Sequence, residues 1–232
     1  MMLIQANCRM QFTAEDVEFV VATLGRQVGD ASCLVKLLAD EEARDTILDD
    51  KRLLHALLEL RGCLRVSARF YFYVLVRQVF LRSGITDRTV ADYVAEMLEE
   101  FSRLERTRCR LPGRKEPLDY FFEMLAALQT ADDRTAFHLR AHIGNSSLFL
   151  SGVFPERIRA RTETRGAPGL GYYEGLGRSS FRAASDHQLA RRYELQGVFD
   201  TLASRFDTTR RALNDMTERM LCFGEPEPPI LA

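Results

Sequence analysis

The chain has no tryptophan, only three lysines (Lys36, Lys51 and Lys115) and no excess of either charge. Its 232 residues carry 32 basic and 33 acidic side chains, a formal net charge of −1. That balance predicts no dominant electrostatic partner. No stacking aromatics interleave with the bases, which argues further against nucleic acid. Arginine's planar fork suits carboxylates and phosphates, but a GC-rich coding sequence accounts for its preponderance over lysine.

Five cysteines (Cys8, Cys33, Cys63, Cys109 and Cys222) are odd in number and widely spaced, with no CxxC. This spacing argues against a disulfide framework and against a cysteine zinc site, and leads to the expectation of reduced thiols in a cytoplasmic protein. The first residues, MMLIQANCRMQF, lack the charged start and long apolar core of a signal peptide. The strongest apolar run, residues 70–76, is far short of the roughly 20 residues of a membrane span. GxSxG, P-loop, HExxH and paired ExxH patterns are missing, as are fixed-period repeats, heptads and alternating strand patterns.

The residues present are 46% hydrophobic and 28% charged, enough for a sizeable core. Apolar residues recur at three- and four-residue steps through most of the chain. Thr13 with Asp16 forms a capping pattern before Val17, Val20, Val21 and Leu24. Residues 67–82 are aromatic and β-branched, as in a strand, but their length and the following Gly84 favour a buried helix. Thr86 or Asp87 caps a helix with Val90, Tyr93, Val94, Met97, Leu98 and Phe101 inward. Residues 186–206 read as one long helix, and residues 157–169 as a polar, turn-forming stretch. The expected fold is all-α: an irregular multi-helix bundle of about ten helices, short loops and an extended proline-rich C-terminal tail.

One domain, 1–232, is expected, with two possible subdomains: an acidic part at 13–106 and an arginine-rich part at 116–223, followed by a tail at 224–232. Residues 13–50 hold ten acids and three bases, net −7; residues 151–211 hold seven acids and eleven bases, net +4. The expectation is that the two parts attract each other, with Pro112-Gly113 as the linker. The pairs Glu99/Glu100 and Asp49/Asp50, and the run Glu15, Asp16, Glu18, read as solvated helix ends or faces.

Residues 134–188 carry three of the four histidines and a row of small residues. Gly171, Gly175, Ser179 and Ala183 recur every four residues, which on a helix is one face. Such a face is expected to pack against another helix, or else to let a ligand approach the backbone. His138 and His142 share a helix face one turn apart, a spacing that can chelate one metal ion. Glu174 and His187 are the nearest further ligands, so the candidate metal set is His138, His142, Glu174 and His187. The candidate ligand-binding set is His138, His142, Asn145, Tyr173, Glu174 and Arg178. No cofactor is indicated. The expected function is a non-catalytic module that binds a protein partner or itself. The alternative is a helical enzyme or small-molecule or metal binder using the His138/His142 face.

Overall fold

The structure is a computed structural model and describes residues 3–28, 31–59, 66–103, 108–111 and 116–220. Gly29-Asp30, Arg61, Gly62 and Arg65, Pro112-Gly113 and the 224–232 tail lie outside them. The fold is all-α, as expected, with thirteen α-helices among the described residues against the ten or so read from the sequence. They follow a 3-10 turn at Cys8–Gln11: α1 Ala14–Val28, α2 Ala31–Ala39, α3 Glu41–Leu48, α4 Lys51–Glu59, α5 Ala68–Arg82, α6 Arg88–Phe101, α7 Phe121–Leu128, α8 Asp133–Val153, α9 Pro155–Arg165, α10 Leu170–Ser185, α11 Gln188–Arg192, α12 Gln196–Ser204 and α13 Phe206–Met220. Among the described residues, none of these helices is long and apolar enough to cross a membrane.

Several ends follow directly from side-chain chemistry. The Thr13–Asp16 capping pattern forms: the Thr13 amide donates to Asp16 Oδ2 at 2.8 Å. Asp16 also accepts from the Ser67 amide and hydroxyl, both at 2.7 Å. Ser67 in turn caps α5 by accepting from the Phe70 amide. One buried carboxylate therefore ties together the starts of two helices 51 residues apart. At the other end of α5, Gly84 takes a positive φ of 72° and the Ile85 amide returns to the Phe80 carbonyl.

Two expected segments differ. Residues 157–169 are mostly helix: Pro155 occupies the first turn of α9 and Gly166, at φ 63°, ends it. Only Pro155 and Ile158 of α9 are buried, so the segment carries little apolar periodicity. The long helix at 186–206 is broken. Glu194 adopts φ 57° and the Leu195 amide bonds back to the Ala190 carbonyl, which turns Leu195 and Phe199 into the core. Leu118 forms an antiparallel bridge with Cys109, and α7 starts at Phe121, where Glu123 accepts from the Tyr120 amide.

One hydrophobic core runs from Ile4 to Met216 and takes in α5, α6, α8, α10, α12 and α13. A smaller cluster of Cys109, Leu118, Met124, Leu139 and Ile143 seats α7 on α8. Close packing of α8 rests on small residues. A methyl group at Gly144 would lie 2.8 Å from the Phe181 ring, and one at Gly152 would lie 2.9 Å from Leu213. A Cβ at Gly177 would overlap the Phe206 ring and lie 3.0 Å from Ser147. Gly144 facing Phe181 and Ser147 facing Gly177 make α8 and α10 antiparallel.

The small-residue row read from the sequence is not this packing face. Gly171, Gly175 and Ser179 are exposed, and nothing lies within 4 Å of a Cβ at either glycine. The buried face of α10 is Gly177, Ser180, Phe181 and Ala184. Gly177→Ala should therefore destabilise the protein by about 1–3 kcal/mol through overpacking. Gly175→Ala should stabilise it by about 0.5–1 kcal/mol through helix propensity. Thermal unfolding of both variants checks the pair; equal effects would mean the face is misassigned.

Candidate functional site

The histidine helix places the residues singled out from the sequence in separate environments. His138 is half-buried against Phe137; burial, then Arg134 and His187, pull its imidazole below the ordinary range. His187 lies close by, at the start of α11. Its Nδ1 accepts from the Leu189 amide at 3.0 Å, which puts the proton on Nε2, 3.0 Å from Asp133 Oδ2. His142 is buried, with its ring centroid 5.7 Å from that of Phe101. Asn145 is buried and accepts from the Tyr93 hydroxyl at 2.9 Å.

The α10 residues lie elsewhere. Glu174 pairs with Arg210 of α13 at 2.7 Å, and Arg210 also binds Asn214, whose amide reaches the Ser151 and Gly152 carbonyls. Glu174 is therefore level with Ser151. From His138 to Ser151 is thirteen residues, about 20 Å of helix at 1.5 Å per residue. The antiparallel register brings His187 to His138 and carries Glu174 to the other end. Tyr173 meets Phe121 and Tyr172 edge-on, and Arg178 is exposed. Among the described residues, the group of three donor atoms within 4.8 Å of one another is Glu96, Glu99 and Glu100, with no histidine in it.

Those glutamates belong to an arrangement the sequence reading missed. Every residue of α6 from Val90 to Phe101 is buried, including Asp92, Glu96, Glu99 and Glu100. Glu99 and Glu100 are thus not a solvated end, and neither Asp16 nor Asp49 is a solvated cap. Arg69 binds Glu96 through two bonds of 2.8 and 2.9 Å, and Arg103 pairs with Glu99. Arginine stands where a cation would stand among these carboxylates.

Beside this group runs an alternating chain of charges. Asp92 accepts from the Arg9 amide and Nε at 3.1 and 2.9 Å, and Arg9 Nη1 pairs with Asp45. Arg88 joins Asp45 to Asp49, at 3.7 and 2.8 Å. Arg77, 2% exposed, forks onto Asp49 at 2.6 and 3.0 Å and donates to the Thr86 carbonyl. Three acids and three arginines cancel along the chain. Burial pushes the Asp92 carboxyl up, against the opposing Arg9 bonds and charge. Burial also opposes ionisation of Asp49, but the Arg77 fork, and the Arg77 and Arg88 charges, hold it below the ordinary range. A one-sign stripe on α6 was the available signal, since solvated helix faces usually mix charges.

A third feature is at the surface. Phe122 is 67% exposed, and Tyr120 and Tyr172 are each 42% exposed. Tyr120 and Phe122 stack at 5.5 Å, and Phe121 between them reaches Tyr173 at 5.7 Å, which meets Tyr172 at 5.6 Å.

Fold and surface define an all-α protein with a buried charged seam and an exposed aromatic face. Comparison of the chain with protein-family models, curated proteins and solved structures finds no match in any of the three.

The Arg77–Asp49 pair has a pH signature. A carboxylate with a folded pKa below its unfolded value contributes stability that is fully present above the unfolded value and lost as pH falls through the folded one. Stability measured in urea should fall as pH is lowered below about 4, and Asp49→Asn should flatten that fall. Arg77→Met, which leaves Asp49 with Arg88 as its remaining partner and takes the donor from the Thr86 carbonyl, should cost about 3 kcal/mol at neutral pH. A cost under about 1 kcal/mol, the size of a surface pair, would overturn this assignment.

Proposed function

We propose that the protein is a non-catalytic helical module that binds a protein partner, and that this partner is a second copy of the chain. The observation that carries the reading is the aromatic face of Tyr120, Phe122 and Tyr172. Single exposed apolar residues are ordinary, whereas here Tyr120 stacks on Phe122, and the adjacent Phe121 meets Tyr173, which in turn meets Tyr172. Aromatic side chains are enriched at the cores of protein interfaces, and each buries about 150–250 Å² when covered. A net charge of −1 leaves little repulsion between copies.

Light scattering should give a mass of twice the 26.5 kDa chain at about 100 μM, a concentration that populates even micromolar dimers. Tyr120→Ser with Phe122→Ser should return it to the single-chain mass with an unchanged melting temperature. A wild-type monomer at that concentration would defeat self-association.

A second reading, a metal or small-molecule binder on the His138/His142 face, is favoured by one observation. His138 Nδ1 is out of solvent with no hydrogen-bond partner, and His187 is close enough to shift its pKa. Protein purified without a histidine tag should then hold stoichiometric transition metal after reconstitution and lose it in His138→Ala. Elemental analysis decides; no bound metal in the wild type would leave His138 a packing role.

A further inference from the structure

We propose that a cleft between the 3-10 turn, α1 and α3 binds a small apolar monocarboxylate, with Arg44 as the group that receives it. The cleft has a volume of about 220 Å³ and is bounded by Phe12, Leu38 and Leu48 on its apolar side and by Arg9, Asp16 and Arg44 on its polar side. Sites for drug-sized ligands run to roughly 300–1,000 Å³. The smaller volume restricts the ligand to a short-chain or single-ring acid.

Two of the three polar side chains are already committed. Arg9 uses Nε and Nη2 on Asp92 and Nη1 on Asp45. Asp16 accepts from the Thr13 amide and from the Ser67 amide and hydroxyl. Arg44 is different. Its Nε is out of solvent with no hydrogen-bond acceptor, and its ion pair is a long one, 4.0 Å from Nη2 to Glu41, whose side chain is 81% exposed. That one long pair leaves the Arg44 guanidinium without a close acceptor, and a ligand oxygen in the cleft would supply one.

The remaining polar capacity of the cleft is therefore for an acceptor, and a guanidinium's planar fork matches a carboxylate best. Asp45 and Asp92 pair with Arg9, and Asp16 lines the cleft, so a dianion such as phosphate would meet repulsion that a monoanion with an apolar body meets less. The apolar wall receives that body.

Calorimetric titration with hexanoate, benzoate, hexanamide and inorganic phosphate tests the proposal on the full chain. Hexanoate or benzoate should saturate at millimolar concentration or below, hexanamide should bind about tenfold more weakly for want of charge, and phosphate should not bind. Arg44→Gln should weaken the acid about tenfold or more, and Arg44→Lys, which keeps the charge and loses the fork, should also weaken it. Circular dichroism verifies that each variant folds. Leu38→Trp, which fills the apolar side, gives an independent variant expected to abolish binding. The proposal is overturned if neither acid saturates in the wild type. It is equally overturned if the acid binds Arg44→Gln and Leu38→Trp as it binds the wild type, or if phosphate binds and the acids do not.

Discussion

Everything in the N-terminal half depends on neutralising the acids that the fold buries. Helix α6 has apolar residues on one side and Asp92, Glu96, Glu99 and Glu100 on the other, and both sides are covered. An isolated carboxylate at such depth would be too costly to keep ionised. Arg9 from the 3-10 turn, Arg69 and Arg77 from α5, and Arg88 and Arg103 at the two ends of α6 meet the acids of this half. The pairing therefore fixes how the 3-10 turn, α5 and the end of α3 sit on α6. Buried pairs of this kind add little over an apolar core of equal volume, but breaking one is expensive. Their contribution is to specify one docking.

The charge asymmetry between the two parts of the chain works differently from the expectation. Asp45 and Asp49 pair with Arg9, Arg77 and Arg88, all N-terminal, while Glu174 and Asp207 pair with Arg210 within the C-terminal part. Among the described residues, the parts are joined by apolar packing of α13 on α5 and of α12 on α6, with the Tyr93 hydroxyl donating to Asn145 and Arg205 to the Gly84 carbonyl. Small residues make the rest of that packing possible: Gly144, Gly152 and Gly177 let α8, α10 and α13 approach to a distance that admits no methyl group. The same antiparallel register of α8 and α10 brings His187 to His138 and takes Glu174 to the other end.

The sequence by itself determined the fold class and most helix positions, because apolar periodicity and caps such as Asp16, Ser67 and Asp87 are local. Helix α5 was legible by length despite its strand-like composition. Helix α9 was not, because burying only Pro155 and Ile158 leaves no periodic pattern, and the break at Glu194 was not, because the residue there is not glycine. The candidate site was legible only as a set of residue types. Tertiary structure decided which glycine packs, because Gly175 and Gly177 differ by two residues and point to different sides of one helix. It also decided which charges are buried. A stripe of acids reads the same in a chain whether water or arginine covers it, and two of the arginines that cover this one, Arg9 and Arg69, are supplied by segments remote in sequence.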